Sequence, residues 1–257
     1  MSPYKFITYS TDNGLVAITI DRPPYNVLDI ASMEEIGAAL RRAAADTTAK
    51  VVLVRGSGEK AFSAGVEVSD HTQEKVDRMI EVFGDIFRGL EEVPVPTVAA
   101  LNGVALGGGC ELALGCDMVI AANHAKIGQP EIKLGVFPPV AAALMAKLIP
   151  PGKAYELVLG GESLTAEEAL QWGLINKVYA KEEFSAGVQT YLVRFLGLSR
   201  VALVLAKKAM RAARERPFRD ALAHADAIYL KELMTTEDAR EGLAAFMQKR
   251  KPVWKNK

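Results

Sequence analysis

A short, unbroken apolar run, Val51 to Val54, constrains the fold more than any other segment of the chain. Charge and glycine bound this run, and most of its residues are β-branched, which suits a β-strand that is covered on both faces. Apolar residues recur at helical spacing before it, over residues 30–44, and after it, over residues 76–90. Strands and helices therefore alternate along the chain, and the sequence predicts an α/β fold.

The chain begins with a predicted β-hairpin. Two strand-like runs, residues 6–10 and 15–21, flank the tripeptide Asp12-Asn13-Gly14. Asn-Gly between such runs favours a two-residue turn, because both central positions of that turn need positive φ. We therefore predict two antiparallel strands at the start of the fold.

The later segments continue the alternation before they become helical. Strands are predicted at residues 97–101 and 118–121, and residues 56–70 are predicted as a loop. From Val140 onward the pattern is almost wholly helical, with glycines and prolines between the helical segments. The sequence thus predicts a mixed first part and a helical C-terminal part.

Charge and cysteine content exclude several classes of protein. The chain has 257 residues with 31 basic and 31 acidic side chains, so no overall field draws it to nucleic acid or to a membrane. Its two cysteines, Cys110 and Cys116, lie close together in one segment, which fits neither a secreted disulfide framework nor a zinc site. No apolar stretch approaches the ~18 residues of a membrane span. We expect a cytoplasmic protein in a reducing compartment.

Two glycine-containing loops are candidates for anion binding. Gly107 to Gly109 precede a helical run and leave N–H groups uncovered at a helix start, a place that favours negative charge. In the loop from Ala61 to Gly65, the glycine permits a sharp bend that would present the N–H of Val66. Each loop alone is also explained by an ordinary tight turn. Together they supply two donors, which is what polarising a thioester carbonyl requires.

Two glutamates follow these loops in sequence. Glu111 lies just after the glycine run, and Glu131 lies in a proline-bounded turn 20 residues later, so only the fold could bring them together. Two carboxylates on either side of a flat acyl group would suit water activation by one and proton delivery by the other. Taken singly, each is more often a solvated surface charge.

The ordered motifs resemble the signature blocks of the crotonase (enoyl-CoA hydratase/isomerase) superfamily over nearly the whole chain. The matching blocks are Ala61 to Gly65, Asn102-Gly103 with Gly107 to Glu111, Cys116-Asp117, Gly128 to Glu131, and Phe246 to Trp254. The resemblance implies a spiral core of repeated ββα units over residues 1–195. It also implies a C-terminal helical region over residues 196–257 that builds homotrimers, commonly paired as hexamers.

The resemblance implies a hydratase site without metal or cofactor, in which the CoA moiety belongs to the substrate. The backbone N–H groups of Val66 and Gly108 would form an oxyanion hole, and Glu111 and Glu131 would stand at the two hydratase glutamate positions. Isomerases of the family often lack one of that pair, so both together favour hydration. Further substrate or CoA contacts are predicted at Arg22, Ala64, Phe137, Pro139, Val140, Lys249 and Lys251, the two lysines lying near a CoA phosphate.

One departure from the family pattern concerns the substrate. Pro139 replaces a glycine whose N–H the family can use near the attacking water, and proline cannot donate there. Residues 66–71 and 136–140 look most like hydratases of anaerobic aromatic degradation that act on cyclohexa-1,5-diene-1-carbonyl-CoA. Prolines would stiffen the wall after Glu131, and Phe137 and Val140 would offer an apolar surface to a flat ring. A short-chain trans-2-enoyl-CoA hydratase remains the alternative.

Two other functions are alternatives to hydration. An enoyl-CoA isomerase would need only one carboxylate, and a non-catalytic scaffold would bind CoA or RNA on its helical surface. A basic series runs along one predicted helix, and we interpret it as a solvated face rather than a nucleic-acid site: Lys207, Lys208, Arg211, Arg214 and Arg216. The three histidines, His71, His124 and His224, have no ligand spacing for a metal, and Cys110 is expected to be buried packing.

Overall fold

The computed structural model describes residues 4–257 and has an α/β fold, as predicted. The strands are β1 Ile7–Asp12, β2 Leu15–Ile20, β3 Val51–Gly56, β4 Ala61–Ser63, β5 Thr97–Leu101, β6 Val104–Leu106, β7 Met118–Ala122, β8 Lys126–Gly128, β9 Ser163–Thr165 and β10 Lys177–Tyr179. The α-helices are α1 Ile30–Ala45, α2 Val76–Glu92, α3 Gly108–Gly115, α4 Pro139–Leu148, α5 Pro151–Gly160, α6 Ala166–Gln171, α7 Phe184–Leu196, α8 Arg200–Ala213, α9 Phe218–Lys231 and α10 Glu237–Met247.

The N-terminal hairpin is confirmed. Strands β1 and β2 pair antiparallel, with Asp12 opposite Leu15 across a two-residue turn. Asn13 and Gly14 have φ values of 46° and 89°, so both central positions are in the region that the turn requires.

Two sheets build the core, and successive strands are divided between them. The larger sheet has the order β1-β2-β3-β5-β7-β10 and is parallel from β2 to β10, while the smaller sheet has the order β4-β6-β8-β9. In each of the pairs β3/β4, β5/β6 and β7/β8, the first strand joins the larger sheet and the second joins the smaller one. The chain therefore winds in repeated two-strand turns, as the resemblance implies.

Strand β3 is covered on both faces, as its unbroken apolar run predicts. Val52 and Val54 are buried in the cluster that contains the inner faces of α1 and α2. Val51 and Leu53 point to the opposite face and pack in a second cluster with Leu192 of α7. This double burial fixes β3 at the centre of the larger sheet.

One prediction of element type was wrong, because the predicted loop over residues 56–70 contains the three-residue strand β4 and a 3-10 helix, Val68–His71. The almost wholly helical pattern after Val140 is confirmed, although two further three-residue strands, β9 and β10, lie between its helices. Strands this short show no recognisable alternation, and their pairing comes from distant parts of the chain.

The basic series on α8 is partly buried, so its interpretation as a solvated face was wrong. Lys207 is only 8% exposed; its Nζ lies 2.5 Å from Oδ2 of Asp117 and donates to the carbonyl of Val95. The Arg211 guanidinium donates to the carbonyl of Leu90 at 2.9 Å. These two side chains attach α8 to the core, while the remaining three stay exposed.

Replacing Asp117 by asparagine is expected to lower the free energy of unfolding by about 2 kcal/mol, because it leaves the buried Lys207 ammonium without its counter-charge. Burial already lowers the pKa of Lys207 to about 8, against the opposing effect of Asp117. Urea unfolding measures the loss. As a control, Asp85→Asn removes an exposed partner of Arg88 and should change stability by about 0.5 kcal/mol or less. Equal losses in the two variants would contradict a stabilising buried ion pair between Asp117 and Lys207.

Helices α7 and α8 lie where the sequence predicts the boundary at residues 195/196. Helix α7 ends at Leu196 and α8 begins at Arg200. The division of the chain there stays a prediction. Within residues 4–257, no single helix is long and apolar enough to cross a bilayer; one pair, Lys181–Leu196 with Arg200–Ala213, reaches that length and composition only together, with a 94° bend.

Candidate active site

The predicted site residues follow three neighbouring strands of the smaller sheet. Strands β4, β6 and β8 are parallel, so their carboxyl ends lie at one edge. Gly65 and Val66 follow β4, Gly107 and Gly108 follow β6, and Glu131 follows β8. Ligands of parallel sheets commonly bind outside the carboxyl ends of the strands. The topology thus gathers the separate motifs at one place.

The loops after β4 and β6 approach each other closely. Gly65 has φ +107°, and a methyl group there would lie 2.9 Å from the carbonyl oxygen of Leu106 and 3.6 Å from the nitrogen of Gly108. A methyl group on Gly108 would lie 2.6 Å from Cγ2 of Val66. Within residues 4–257, no backbone hydrogen bond between elements uses the N–H of Val66 or of Gly108, the first residue of α3. The arrangement fits two adjacent donors for one oxygen atom.

Glu111 is buried in the first turn of α3 and bound by the start of α4. It is 2% exposed, and its Oε1 accepts the N–H of Ala141 at 2.7 Å. Burial raises the pKa of Glu111 to about 7; the N–H groups of Ala141 and Val140 oppose this rise, and the charge of Glu131 adds to it. Glu111 therefore exchanges a proton near neutral pH.

Pro139 has a structural role that the sequence alone did not predict. It is the first residue of α4, a position where the missing N–H is not needed by the helix and where proline's fixed φ suits the helical backbone. The next two residues, Val140 and Ala141, direct their N–H groups at Glu111. Pro139 itself donates nothing, but it starts the helix that holds the Glu111 carboxylate.

Glu131 lies in a short 3-10 helix, Pro130–Leu134, rather than in the plain turn that was predicted. Its carboxylate sits directly over the glycine loop, since a methyl group added to Gly107 would meet Oε1 of Glu131. Its Oε2 is buried and has no hydrogen-bond partner in the described part of the chain. Burial raises the pKa of Glu131, and the nearby His71 opposes this rise. His71 is exposed, so it marks the open side of the site.

A cavity of about 1080 Å³ lies behind these groups, between α2, α4 and the end of α8. Its inner wall includes Phe83 and Val140. The ring of Phe83 would lie 3.2 Å from a methyl group on Gly108, and the Val140 N–H faces Glu111. Pro139 also lines the cavity, whereas Phe137 is 63% exposed and lies outside its wall. Phe83 and Val140 therefore link the cavity to Gly108 and to Glu111, respectively.

Four more of the residues predicted to contact the substrate or its CoA lie outside the cavity lining. The Arg22 guanidinium pairs with Asp29 at 2.9 Å, and the Ala64 N–H donates to a backbone carbonyl after β2. Lys249 and Lys251 are exposed on the C-terminal tail and form no ion pair with any residue in the range 4–257. Their contact with CoA stays a prediction.

Comparison with known proteins gives matches over almost the whole chain. A family model described as enoyl-CoA hydratase/isomerase matches residues 10–257. The chain is 35% identical over 256 residues to carnitinyl-CoA dehydratase of Salmonella typhi, covering 96% of this chain and 97% of that relative. The structure of enoyl-CoA hydratase from Bacillus anthracis is similar with a TM-score of 0.93 at 30% identity, covering 98% of this chain and 100% of that one. An enoyl-CoA hydratase/carnitine racemase of Magnetospirillum magneticum has a TM-score of 0.89 at 28% identity, covering 99% and 97%.

Proposed function

The chain belongs to the enoyl-CoA hydratase/isomerase family and is an enzyme of the enoyl-CoA hydratase type, and from that premise we propose that it adds water to the conjugated double bond of an enoyl-CoA thioester. The same site would catalyse the reverse dehydration. One observation carries the proposal: Glu111 and Glu131, both with raised pKa, lie near two adjacent backbone N–H groups. The reaction needs no cofactor beyond the CoA of the substrate.

The donor pair gives the thioester its electrophilic character. The carbonyl oxygen would accept the N–H groups of Val66 and Gly108, and negative charge gathers on it when water adds to the β-carbon. Donors held by the fold in advance stabilise that charge without rearranging during the reaction. The position of Gly108 at the N-terminus of α3 adds the favourable end of a helix dipole.

The environments of the two glutamates suggest different roles. Glu111 is held as an acceptor by the N–H groups at the start of α4, which favours its carboxylate form and suits it to remove a proton from water. Glu131 keeps Oε2 without a partner, so this oxygen is available to carry a proton to the α-carbon. General acid and base would then act on the two ends of one double bond.

We expect kcat/KM for hydration to fall as the pH is lowered through about 7, because protonated Glu111 cannot accept the proton of water. Steady-state rates between pH 5 and 9 measure this limb. Removing the charge of Glu131 should lower the pKa of Glu111, so the limb of residual activity in Glu131→Gln should move to lower pH. A flat profile across this range would contradict the assignment of Glu111 as the base.

Hydration and isomerisation are separated by the fate of solvent oxygen. Incubation of an enoyl-CoA in ¹⁸O-labelled water should give a 3-hydroxyacyl product that carries the label. A shifted double bond without incorporated label would instead identify an isomerase, for which one carboxylate suffices. This experiment decides between the two activities in the family's description.

For the acyl group, we keep the proposal of a cyclic dienoyl-CoA such as cyclohexa-1,5-diene-1-carbonyl-CoA. Its support is the wall formed by Pro139, Val140 and Phe83, which is apolar and stiffened by the helix start. A flat ring fits such a wall better than a flexible chain does. Measuring kcat/KM for cyclohexa-1,5-diene-1-carbonyl-CoA and for crotonyl-CoA side by side tests this proposal. A clear preference for crotonyl-CoA would contradict the cyclic substrate and favour a short-chain enoyl-CoA hydratase.

We also propose that the chain forms a homotrimer or a pair of trimers. Large apolar side chains are exposed on α8, α9 and α10 and just after them, including Met210, Phe218, Phe246 and Met247. Apolar area of this kind favours association with further copies. Sedimentation at micromolar concentration should give a multiple of the 27.7 kDa chain. A monomer would contradict the proposed assembly.

A further inference from the structure

We propose that the cavity behind the two glutamates discriminates against acyl groups that carry a positive charge, with Arg214 and Arg216 as the specificity-determining residues. This inference rests on the proposed hydratase function, because it assigns the cavity to the acyl group of the substrate. It separates this chain from its relative named carnitinyl-CoA dehydratase, since a carnitinyl group carries a quaternary ammonium.

The geometry directs the acyl group toward this cavity. A thioester oxygen between the N–H groups of Val66 and Gly108 places the reacting carbons beside Glu111 and Glu131. Beyond them lie Phe83 and Val140, which form the inner wall of the cavity of about 1080 Å³. The part of the acyl group beyond the double bond therefore extends along α3 toward the end of α8.

The far end of the cavity has an excess of positive charge. Five cationic side chains and three carboxylates line it, which leaves two positive charges uncompensated. The cationic residues are Arg88, Lys147, Arg211, Arg214 and Arg216, and the acidic residues are Glu91, Asp117 and Glu215. Two lining residues form ion pairs with residues outside the lining: Arg88 with Asp85, and Asp117 with Lys207. One pair adds a negative charge and the other adds a positive charge, so the excess of two positive charges is unchanged.

Most of these charged side chains already have partners within the protein. The side chains without a charged partner are the ones that can act on a ligand. Arg211 is bound to backbone carbonyls and lies 3.6 Å from Asp117, and Lys147 lies 3.8 Å from Glu215. The side chain of Arg214 makes no hydrogen bond or ion pair with any other residue of the range 4–257, and the guanidinium of Arg216 donates only to the carbonyl of Ala212. Their guanidinium groups provide the uncompensated field.

Two aromatic rings in the cavity wall act against this repulsion of cations. The rings of Phe83 and Phe87 stand edge to face at 5.1 Å between centroids, and aromatic rings can attract a quaternary ammonium. Their faces are partly used already, because Phe83 packs on Gly108 and Phe87 on Gly115. The two unpaired guanidinium groups are exposed, so salt and water weaken their repulsion, but both carry a full charge whereas the two rings are partly covered. We therefore expect the repulsion to exceed the attraction. The net preference is for an uncharged acyl group.

Two enoyl-CoA esters of equal shape isolate the effect of charge. One carries a trimethylammonium group on C4 of a but-2-enoyl chain, and the other carries a tert-butyl group in its place. We expect kcat/KM for the uncharged ester to exceed that for the cationic ester by about tenfold or more at low salt. In the double variant Arg214→Gln/Arg216→Gln this ratio should fall to about threefold or less, and added salt should lower it in the original protein.

Arg219→Gln is the matched control. Arg219 is also an exposed arginine of the C-terminal helices, but it does not line the cavity, so its removal should leave the ratio unchanged. A ratio near one in the original protein, or an unchanged ratio in the double variant, overturns the inference while the hydratase function stands.

Binding of the corresponding saturated esters, followed by calorimetry, tests the charge preference without turnover. If neither enoyl ester reacts, and crotonyl-CoA and cyclohexa-1,5-diene-1-carbonyl-CoA also do not react, the proposed function fails. A tighter Kd for the tert-butyl ester that disappears in the double variant would still support the cationic cavity. Equal or tighter binding of the trimethylammonium ester overturns it. The two failures are therefore distinguishable.

Discussion

Glu131→Gln is expected to lower kcat for hydration by about 10²- to 10⁴-fold, the usual contribution of a general acid or base. Glutamine has the same shape but cannot supply the proton that the α-carbon needs. Because Oε2 of Glu131 has no hydrogen-bond partner among the described residues, the substitution removes no hydrogen bond from that oxygen. Circular dichroism and thermal unfolding should therefore match the original protein, while the turnover of an enoyl-CoA falls.

Glu111→Gln should cause a loss of similar size by a different route. Its amide oxygen can still accept the N–H of Ala141, so the side chain stays in place but cannot take a proton from water. Glu92→Gln serves as the control, because Glu92 is an exposed glutamate of α2 that lies away from the site. Near-wild-type turnover in either Glu111→Gln or Glu131→Gln would contradict two-carboxylate catalysis.

The sequence located the motifs of the site but not the surface that unites them. The larger sheet was predictable where strands were long and apolar, as at Val51 to Val54. Strands β4, β6 and β8 were not, because three residues are too few for alternation to be recognised and their pairing partners are remote. These strands are what bring Val66, Gly108 and Glu131 to one edge. Only the family resemblance implied the two-strand repeat.

Backbone donors are a second limit of sequence reasoning. The group that binds Glu111 is the N–H of Ala141, and alanine has no functional side chain to reveal it. The available signal was Pro138-Pro139 before an alanine-rich run, which is typical of a helix start. That signal predicts exposed N–H groups one and two residues later. It does not predict which carboxylate they meet, because Glu111 is 30 residues away in sequence.

Charged residues in helices are a third limit. Lys207 and Arg214 belong to the same basic series, yet Lys207 is buried against Asp117 and Arg214 is exposed at the cavity. Helical spacing fixes which side chains share a face, but not what lies opposite that face. The distinction decides function here, since one residue attaches α8 to the core and the other provides an unpaired charge.

Gly107→Ala is expected to lower kcat by about 100-fold, because the new methyl group would occupy the place of the Glu131 carboxylate. The backbone of Gly107 has φ 52° and ψ −128°, and the added carbon would overlap Oε1 of Glu131, so that carboxylate must move away from the substrate. A displaced acid or base loses most of the rate that depends on its position. Steady-state kinetics measure the loss.

Backbone strain must be separated from this displacement, and Gly135→Ala provides the comparison. Gly135 also has positive φ, at 77°, but a methyl group there meets no atom within 4 Å. Both variants should lose about 1 to 3 kcal/mol of stability, since a non-glycine residue is strained at such angles. Only Gly107→Ala should lose turnover when both are assayed well below their melting temperatures. If Gly107→Ala is folded and retains kcat within about threefold of the original, Glu131 does not act from the position above Gly107, because a displaced catalytic group could not sustain that rate.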